Sequence, residues 1–312
     1  MNFNDCVVLV PCFNEEKSIA MTIFHIRKDL PGCEIIVIDN CSTDMTFSIS
    51  RDAGAKVVFE PQRGKGYAIR RGFKELETMN YKVVFMIDGD ATYGTKEFQN
   101  AYDMVTKKNF DMIVGSRVVR SVSESGRTAP YRKFHGVGNF ALSRLNRTLF
   151  NVEVDDVLSG WRALSPSFVR SFWGGASGFE IESELNTHAF VISGAVGNLD
   201  VEYRGRLDES HSKLNTFQDG FKIVRMQFKL FRSERPNLAY SLLSLPWFLL
   251  SAILMVRVIR EFLSSGLVPN FPSLIVGVAA FMVGALLWTT GMILANVRMA
   301  RVQMSQMRYR IG

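Results

Sequence analysis

Through residues 1–117 short apolar runs rich in β-branched side chains alternate with longer stretches whose apolar positions recur every three or four residues. This pattern predicts an α/β domain in which the strands of a largely parallel sheet take turns with helices. Strands are expected at Val7–Val10, Glu34–Asp39, Lys56–Glu60, Lys82–Asp88 and Asp111–Val114, and helices over 16–28, 43–51, 66–79 and 96–107. The regularity stops at Arg117. Residues 118–218 open with the polar, basic stretch Ser121–Lys133, which reads as a mobile lid over a site or as a solvated connection. A helix at 137–150, a turn through Asp155 and Asp156, a strand at 161–164, a helix at 179–190 and a strand at 196–203 complete the domain. In open α/β sheets ligands collect beyond the carboxyl ends of the strands, and here those ends carry polar clusters.

The last third differs. Leu238–Val256 and Phe262–Val297 are long uncharged stretches, and each can hold a membrane-spanning helix. The first, 19 residues, makes about 28 Å of helix; the second is expected to start near Pro272. A pair of buried core helices is the other reading, and the lack of a polar face in either segment speaks against it. Before them, over 219–236, Phe221, Val224, Phe228 and Phe231 form one stripe and Lys222, Arg225, Lys229 and Arg232 its neighbour, which predicts an amphipathic helix in the headgroup region. The hairpin is expected over 237–297 and a basic tail over 298–312. Gly277, Ala280, Gly284 and Gly291 on the second span permit close helix packing, including a homo-oligomer, and also fit lipid-facing positions.

Composition changes the picture only when it is split. The 312 residues carry a net charge of +7, but residues 1–221 hold 26 Lys+Arg against 28 Asp+Glu while residues 222–312 hold 11 against 2. The basicity is a collar around the hairpin, so no nucleic-acid partner is expected. By the positive-inside rule both ends and the N-terminal domain lie in the cytoplasm. The N-terminus has no basic region followed by an apolar core, so no cleaved signal is expected. Cys6, Cys12, Cys33 and Cys41 lack metal-ligand spacing and read as free thiols, with Cys41 placed near a ligand site.

Candidate chemistry centres on Met86-Ile87-Asp88-Gly89-Asp90, an apolar strand ending in two carboxylates one residue apart. Hard divalent cations take such oxygens while a substrate's phosphates fill the remaining positions. Strand one runs into Pro11-Cys12-Phe13-Asn14-Glu15-Glu16 and strand two into Asp39-Asn40-Cys41-Ser42-Thr43-Asp44. Asp39 is placed to accept bonds from a ribose or base, whereas Ser42, Thr43 and Asp44 equally cap the next helix. Arg63-Gly64-Lys65-Gly66 opens a helix and offers backbone N–H groups and a lysine to an anion; a plain glycine turn is the alternative. Glu180 and Glu182 are candidates to orient the acceptor or contact sugar hydroxyls, although a solvated helix face is the favoured reading for both, and His135 and His211 are weak catalytic candidates.

These segments, together with Gly115-Ser116-Arg117 and Ser159-Gly160-Trp161-Arg162, resemble in order and spacing the family 2 glycosyltransferases, and within them the polyprenyl-phosphate branch related to dolichol-phosphate mannose and glucose synthases. The resemblance spans residues 6 to about 215. It implies a GT-A fold and inverting transfer of a sugar from a nucleotide sugar, a UDP-sugar more than GDP-mannose, to undecaprenyl or dolichyl phosphate, with Mg²⁺ or Mn²⁺ as cofactor. Carried over by position, it places Pro11, Asn14, Glu15, Asp39, Lys65 and Asp88 around the nucleotide sugar. On the same resemblance Asp88 and Asp90 would hold the metal, Asp90 more directly. By the resemblance Arg117, Arg132 and Ser212 would meet the acceptor phosphate and Arg206 and Lys213 would lie near the diphosphate; apart from it, Asp156, just before Ser159-Gly160, is a candidate to orient the acceptor or contact sugar hydroxyls. Two departures stand out: Asp39-Asn40 where relatives often have Asp-Asp, and Thr92 where many have Gln. A polysaccharide acceptor is a second enzyme reading, but the chain has neither a Gln-x-x-Arg-Trp motif nor further spans. A non-catalytic membrane scaffold is a third, against which the paired Asp88 and Asp90 argue.

Overall fold

The computed structural model describes residues 3–118, 154–204, 225 and 228–311, which form two compact units, one of residues 1–226 with 305–312 and one of 227–304. The first unit is built on seven strands: β1 (Cys6–Cys12), β2 (Glu34–Asp39), β3 (Lys56–Phe59), β4 (Val83–Met86), β5 (Met112–Val118), β6 (Arg162–Leu164) and β7 (Val196–Glu202). They lie in the order β3-β2-β1-β4-β6-β5-β7, all parallel except β6, which runs antiparallel to both neighbours. Helices α1 (Ile19–Asp29), α2 (Thr46–Asp52), α3 (Lys65–Glu75) and α4 (Phe98–Lys107) connect the first strands. Every residue of β4 is buried, as the unbroken apolar run Val83-Val84-Phe85-Met86 requires of a strand covered on both faces. Phe98 of α4 stacks on Trp161 at 5.1 Å and 16°, closing the core beside Phe85.

The predicted strands and first helices are present with ends shifted by a few residues. The strand expected to run to Asp88 stops at Met86 and leaves Asp88–Asp90 in the following loop. A helix not anticipated, α5 (Pro166–Ser171), starts where the Ser165 hydroxyl accepts from the Phe168 amide with Pro166 at its first position, a readable cap and proline pair. Then α6 (Ile181–Ile192) leads into β7. The predicted lid at 121–133, the helix at 137–150, and Arg132, His135, Arg206, His211, Ser212 and Lys213 lie outside the described residues.

In the second unit residues 228–234 are helical and the chain turns at Arg235 (φ −131°, ψ 56°) into α7 (Pro236–Ser265), so a break falls just before the end of the predicted 219–236 helix. Gly266 ends α7 in the left-handed region at φ 66°, where glycine carries no Cβ penalty. The last helix, α8 (Phe271–Ile311), does not stop near Val297; the stretch expected as a tail continues it for 14 residues to Ile311. Nothing in 298–311 breaks a helix, Glu234 pairs with both Arg298 and Arg301, and Arg308 and Arg310 suit the negative end of the helix dipole. Both α7 and α8 are long and apolar enough to cross a membrane, each holding an 18-residue stretch of mean hydropathy 2.1. The small-residue stripe is used inside the hairpin: a Cβ on Gly284 would sit 3.1 Å from the Phe248 ring, and one on Gly291 2.7 Å from the Tyr240 Cβ.

Candidate active site

At the carboxyl ends of the adjacent strands β2, β1 and β4 the polar segments converge. Cys12 pairs with Asp39 in the register, and two strand spacings put the ends of β2 and β4 about 10 Å apart. Asp39 is 2% exposed and its Oδ1 has no hydrogen-bond partner among the described residues, so it presents a buried acceptor. The loops around it are cross-braced. Asn14, at φ 53°, accepts through Oδ1 from the Thr43 amide at 2.8 Å and donates its own amide to the Ser42 hydroxyl at 3.0 Å. The Glu15 amide donates to Thr46 Oγ1 at 2.7 Å and the Glu16 amide to Asp44 Oδ2 at 3.1 Å. Ser42, Thr43 and Asp44 therefore tie β1's loop to β2's, and Asn14 is one of the ties. The Glu15 side chain is buried and accepts from the Ser18 hydroxyl. Pro11 lies in β1 opposite Ile38. Cys41 is half-buried at φ 61°, with its thiol against the Glu60 and Pro61 carbonyls.

The Asp88-Gly89-Asp90 turn is held from below. The Gly89 carbonyl accepts from the hydroxyls of Ser18 at 3.0 Å and Thr22 at 3.2 Å, and a Cβ on Gly89 would overlap the Cys12 sulfur. Asp90 is 5% exposed and accepts through Oδ1 from the amide and hydroxyl of Thr92, the latter at 2.6 Å. The departure at position 92 thus supplies a residue that orients the Asp90 carboxylate. Two carboxylates at alternate positions beyond an apolar strand are the hard oxygen donors that Mg²⁺ or Mn²⁺ takes, with phosphates and water as further ligands, and the donor set fits such an ion. Among the described residues no group of three or more His, Cys, Asp or Glu adds to it.

Lys65 is paired with two carboxylates of the protein. Its ammonium lies 2.6 Å from Asp88 Oδ1 and 2.7 Å from Glu182 Oε1. Burial opposes its charge, but the two carboxylates outweigh burial and hold its pKa above the ordinary lysine value. Glu182 is not on a solvated face: it is 2% exposed, and burial raises its pKa despite Lys65. The Gly64 and Gly66 amides are also committed, to Asn40 Oδ1 at 2.6 Å and the Ser177 carbonyl at 3.0 Å. The Arg63–Gly66 turn thus closes on the protein, and its lysine neutralises carboxylates.

Across the site Arg117 grips Asp156 with two parallel bonds, Nε to Oδ2 at 2.5 Å and Nη2 to Oδ1 at 2.8 Å, under the Tyr203 ring. Burial works against the Arg117 charge, and the Asp156 bonds more than restore it. Gly160 donates its amide to the Tyr93 hydroxyl at 3.0 Å, and a Cβ there would overlap Asp88 Oδ2, so this glycine lets the Asp88 carboxylate lie directly against the backbone. Arg162 is fully buried and serves the scaffold. It donates to Asn186 Oδ1 at 2.7 Å and to the carbonyls of Val157, Ser159 and Glu182, and burial lowers its pKa to about 10.

Comparison with known proteins is consistent with this architecture. Protein RfbJ of Shigella flexneri is 38% identical over 128 residues, 41% of this chain and 93% of that protein. The glycosyltransferase AglJ of Haloferax volcanii is 29% identical over 230 residues, 74% of this chain and 72% of its own. A dolichyl-phosphate hexose transferase of the same organism is 26% identical over 238 residues, 76% and 98% of the two chains. In three dimensions the chain resembles glucosyl-3-phosphoglycerate synthase from Mycobacterium tuberculosis, solved with Mn²⁺, UDP and glucosyl-3-phosphoglycerate, at a TM-score of 0.55 and 20% identity over 72% of this chain and 79% of that one. That likeness shows the GT-A sheet. Residues 7–163, half of the chain and the stretch that holds β1 through β6 and the Asp88–Asp90 turn, match the family model for glycosyl transferase family 2, and the chain belongs to that family.

Proposed function

We propose that the chain transfers one sugar, with inversion, from a UDP-sugar to a polyprenyl phosphate such as undecaprenyl or dolichyl phosphate, at the cytoplasmic face of a membrane. The observation that carries this reading is the presence in one chain of a family 2 unit and two helices able to cross a bilayer, since the acceptor met at a bilayer surface is a lipid headgroup. The Haloferax relative named as a dolichyl-phosphate hexose transferase points the same way. The collar of Lys and Arg on both sides of the hairpin supports cytoplasmic ends.

A phosphate monoester is mostly dianionic at pH 7, so the acceptor is already a nucleophile and no strong base is needed. Its oxygen forms a bond to the anomeric carbon as the bond from that carbon to the diphosphate breaks on the opposite face. Arg117, locked by Asp156, offers its guanidinium to the acceptor phosphate, with Arg132 and Ser212 assigned to the same group and Arg206 and Lys213 to the diphosphate. Asp39 takes a donor of the nucleoside, beside Pro11 and the braced Asn14–Glu15 loop. Asp88 and Asp90 would hold Mg²⁺ or Mn²⁺, which supplies Lewis-acid stabilisation of the departing diphosphate. Membranes containing the protein, given labelled UDP-sugars and undecaprenyl phosphate, are expected to yield organic-extractable label that chelator abolishes. Asp90→Ala is expected to lower that transfer by on the order of 10²-fold or more, and undiminished transfer would remove the metal assignment.

A further inference from the structure

The transfer of the sugar gives no part to Glu182. Glu182, in the first turn of α6, gives Oε1 to Lys65, while its Oε2 is buried with no hydrogen-bond partner among the described residues. Buried polar atoms are nearly always partnered, because an unmade bond forfeits the cost of desolvation. A carboxylate only accepts, so what completes it is a donor.

Position narrows the donor. Asp88 Oδ1 and Glu182 Oε1 bind the same ammonium, so Glu182 is the immediate neighbour of the turn assigned to the metal and diphosphate. A phosphate oxygen beside Oε2 would set anion against anion. The portion of a nucleotide sugar adjoining its diphosphate that carries neutral donors is the sugar, whose outer atoms are hydroxyls. We infer that Glu182 Oε2 accepts a hydrogen bond from one hydroxyl of the transferred sugar and selects for donors that bear it. This inference rests on the nucleotide-sugar reading given above.

The test uses the full chain in membranes with UDP-glucose, UDP-galactose, UDP-N-acetylglucosamine and GDP-mannose, and then the monodeoxy analogues of whichever donor is transferred. In the wild type one deoxy position is expected to lower kcat/KM by on the order of 10²-fold or more, the mark of a buried polar group left unpaired. In Glu182→Ala that penalty is expected to shrink to within about threefold while the other positions keep theirs, the signature of a lost pairwise contact. Glu182→Gln, which keeps the side chain's volume, is expected to fall between the two, and UDP binding measured calorimetrically checks that each variant is folded. Equal deoxy penalties in wild type and variants would overturn the inference while leaving the functional reading standing. Transfer from none of the four donors would overturn that reading and the inference with it.

Discussion

At position 40 the side-chain amide donates to the carbonyls of Glu60 and Gln62, and its oxygen accepts from the Gly64 amide at 2.6 Å. An aspartate has no donor for the two carbonyls, so asparagine here holds the turn that delivers Lys65 to Asp88. Gly160 has a comparable role, and Gly160→Ala drives a methyl group into Asp88 Oδ2. The variant is expected to fold, judged by circular dichroism, yet lose on the order of 10²-fold in kcat/KM, the usual cost of a misplacement of about 1 Å. The carboxylates on strand ends were legible from spacing because an apolar run that stops at an acid marks its own position. The burial of Glu182 was not: Glu180, Glu182 and Glu184 follow one another with equal polarity, which made a solvated face the favoured reading, and burial of the middle one depends on Lys65, 117 positions earlier in the chain.

The α5–α6 pair shows what an element contributes beyond its own residues. His188 of α6 is buried edge-on between the rings of Phe168 and Phe172, at 5.0 and 5.3 Å, with Nε2 3.0 Å from the Ser171 hydroxyl. Burial lowers its pKa to about 4. The unfolded chain takes up this proton near pH 6.5, and the folded one only near pH 4. The stability held above pH 6.5 therefore drains away as pH falls towards 4, by up to about 1.4 kcal/mol per pH unit. Thermal unfolding of the detergent-solubilised protein between pH 7.5 and 5 is expected to show this loss, and His188→Gln to show a shallower one. Strands and helices of the first half were legible because period and β-branching agree along them. Short α5 was missed because six residues make too few turns to show a period, although its Ser165-Pro166 cap was there to be read.

Over the whole chain, the last helix belongs to two units. Residues 305–311 pack on the catalytic unit, where the Tyr309 hydroxyl donates to Asp111 Oδ1 at 2.9 Å and Gln306 donates to the Val191 carbonyl. Asp111 also accepts from Ser165 Oγ and the Ala195 amide. Tyr309→Phe is expected to cost about 1 kcal/mol, read as a lower denaturation midpoint, and removal of residues 305–312 to cost more. Hydropathy made the two long apolar helices legible but set the end of the second at the last apolar residue, since nothing in a basic segment announces the surface it will meet. The family match ends at residue 163, and Glu182 lies beyond it. One ammonium thus joins the strand end that carries Asp88 to a helix of the later half. Whatever draws Asp88 from Lys65 gives Glu182 a larger share of that positive charge. Occupancy at either carboxylate must then alter affinity at the other, by the same factor in both directions.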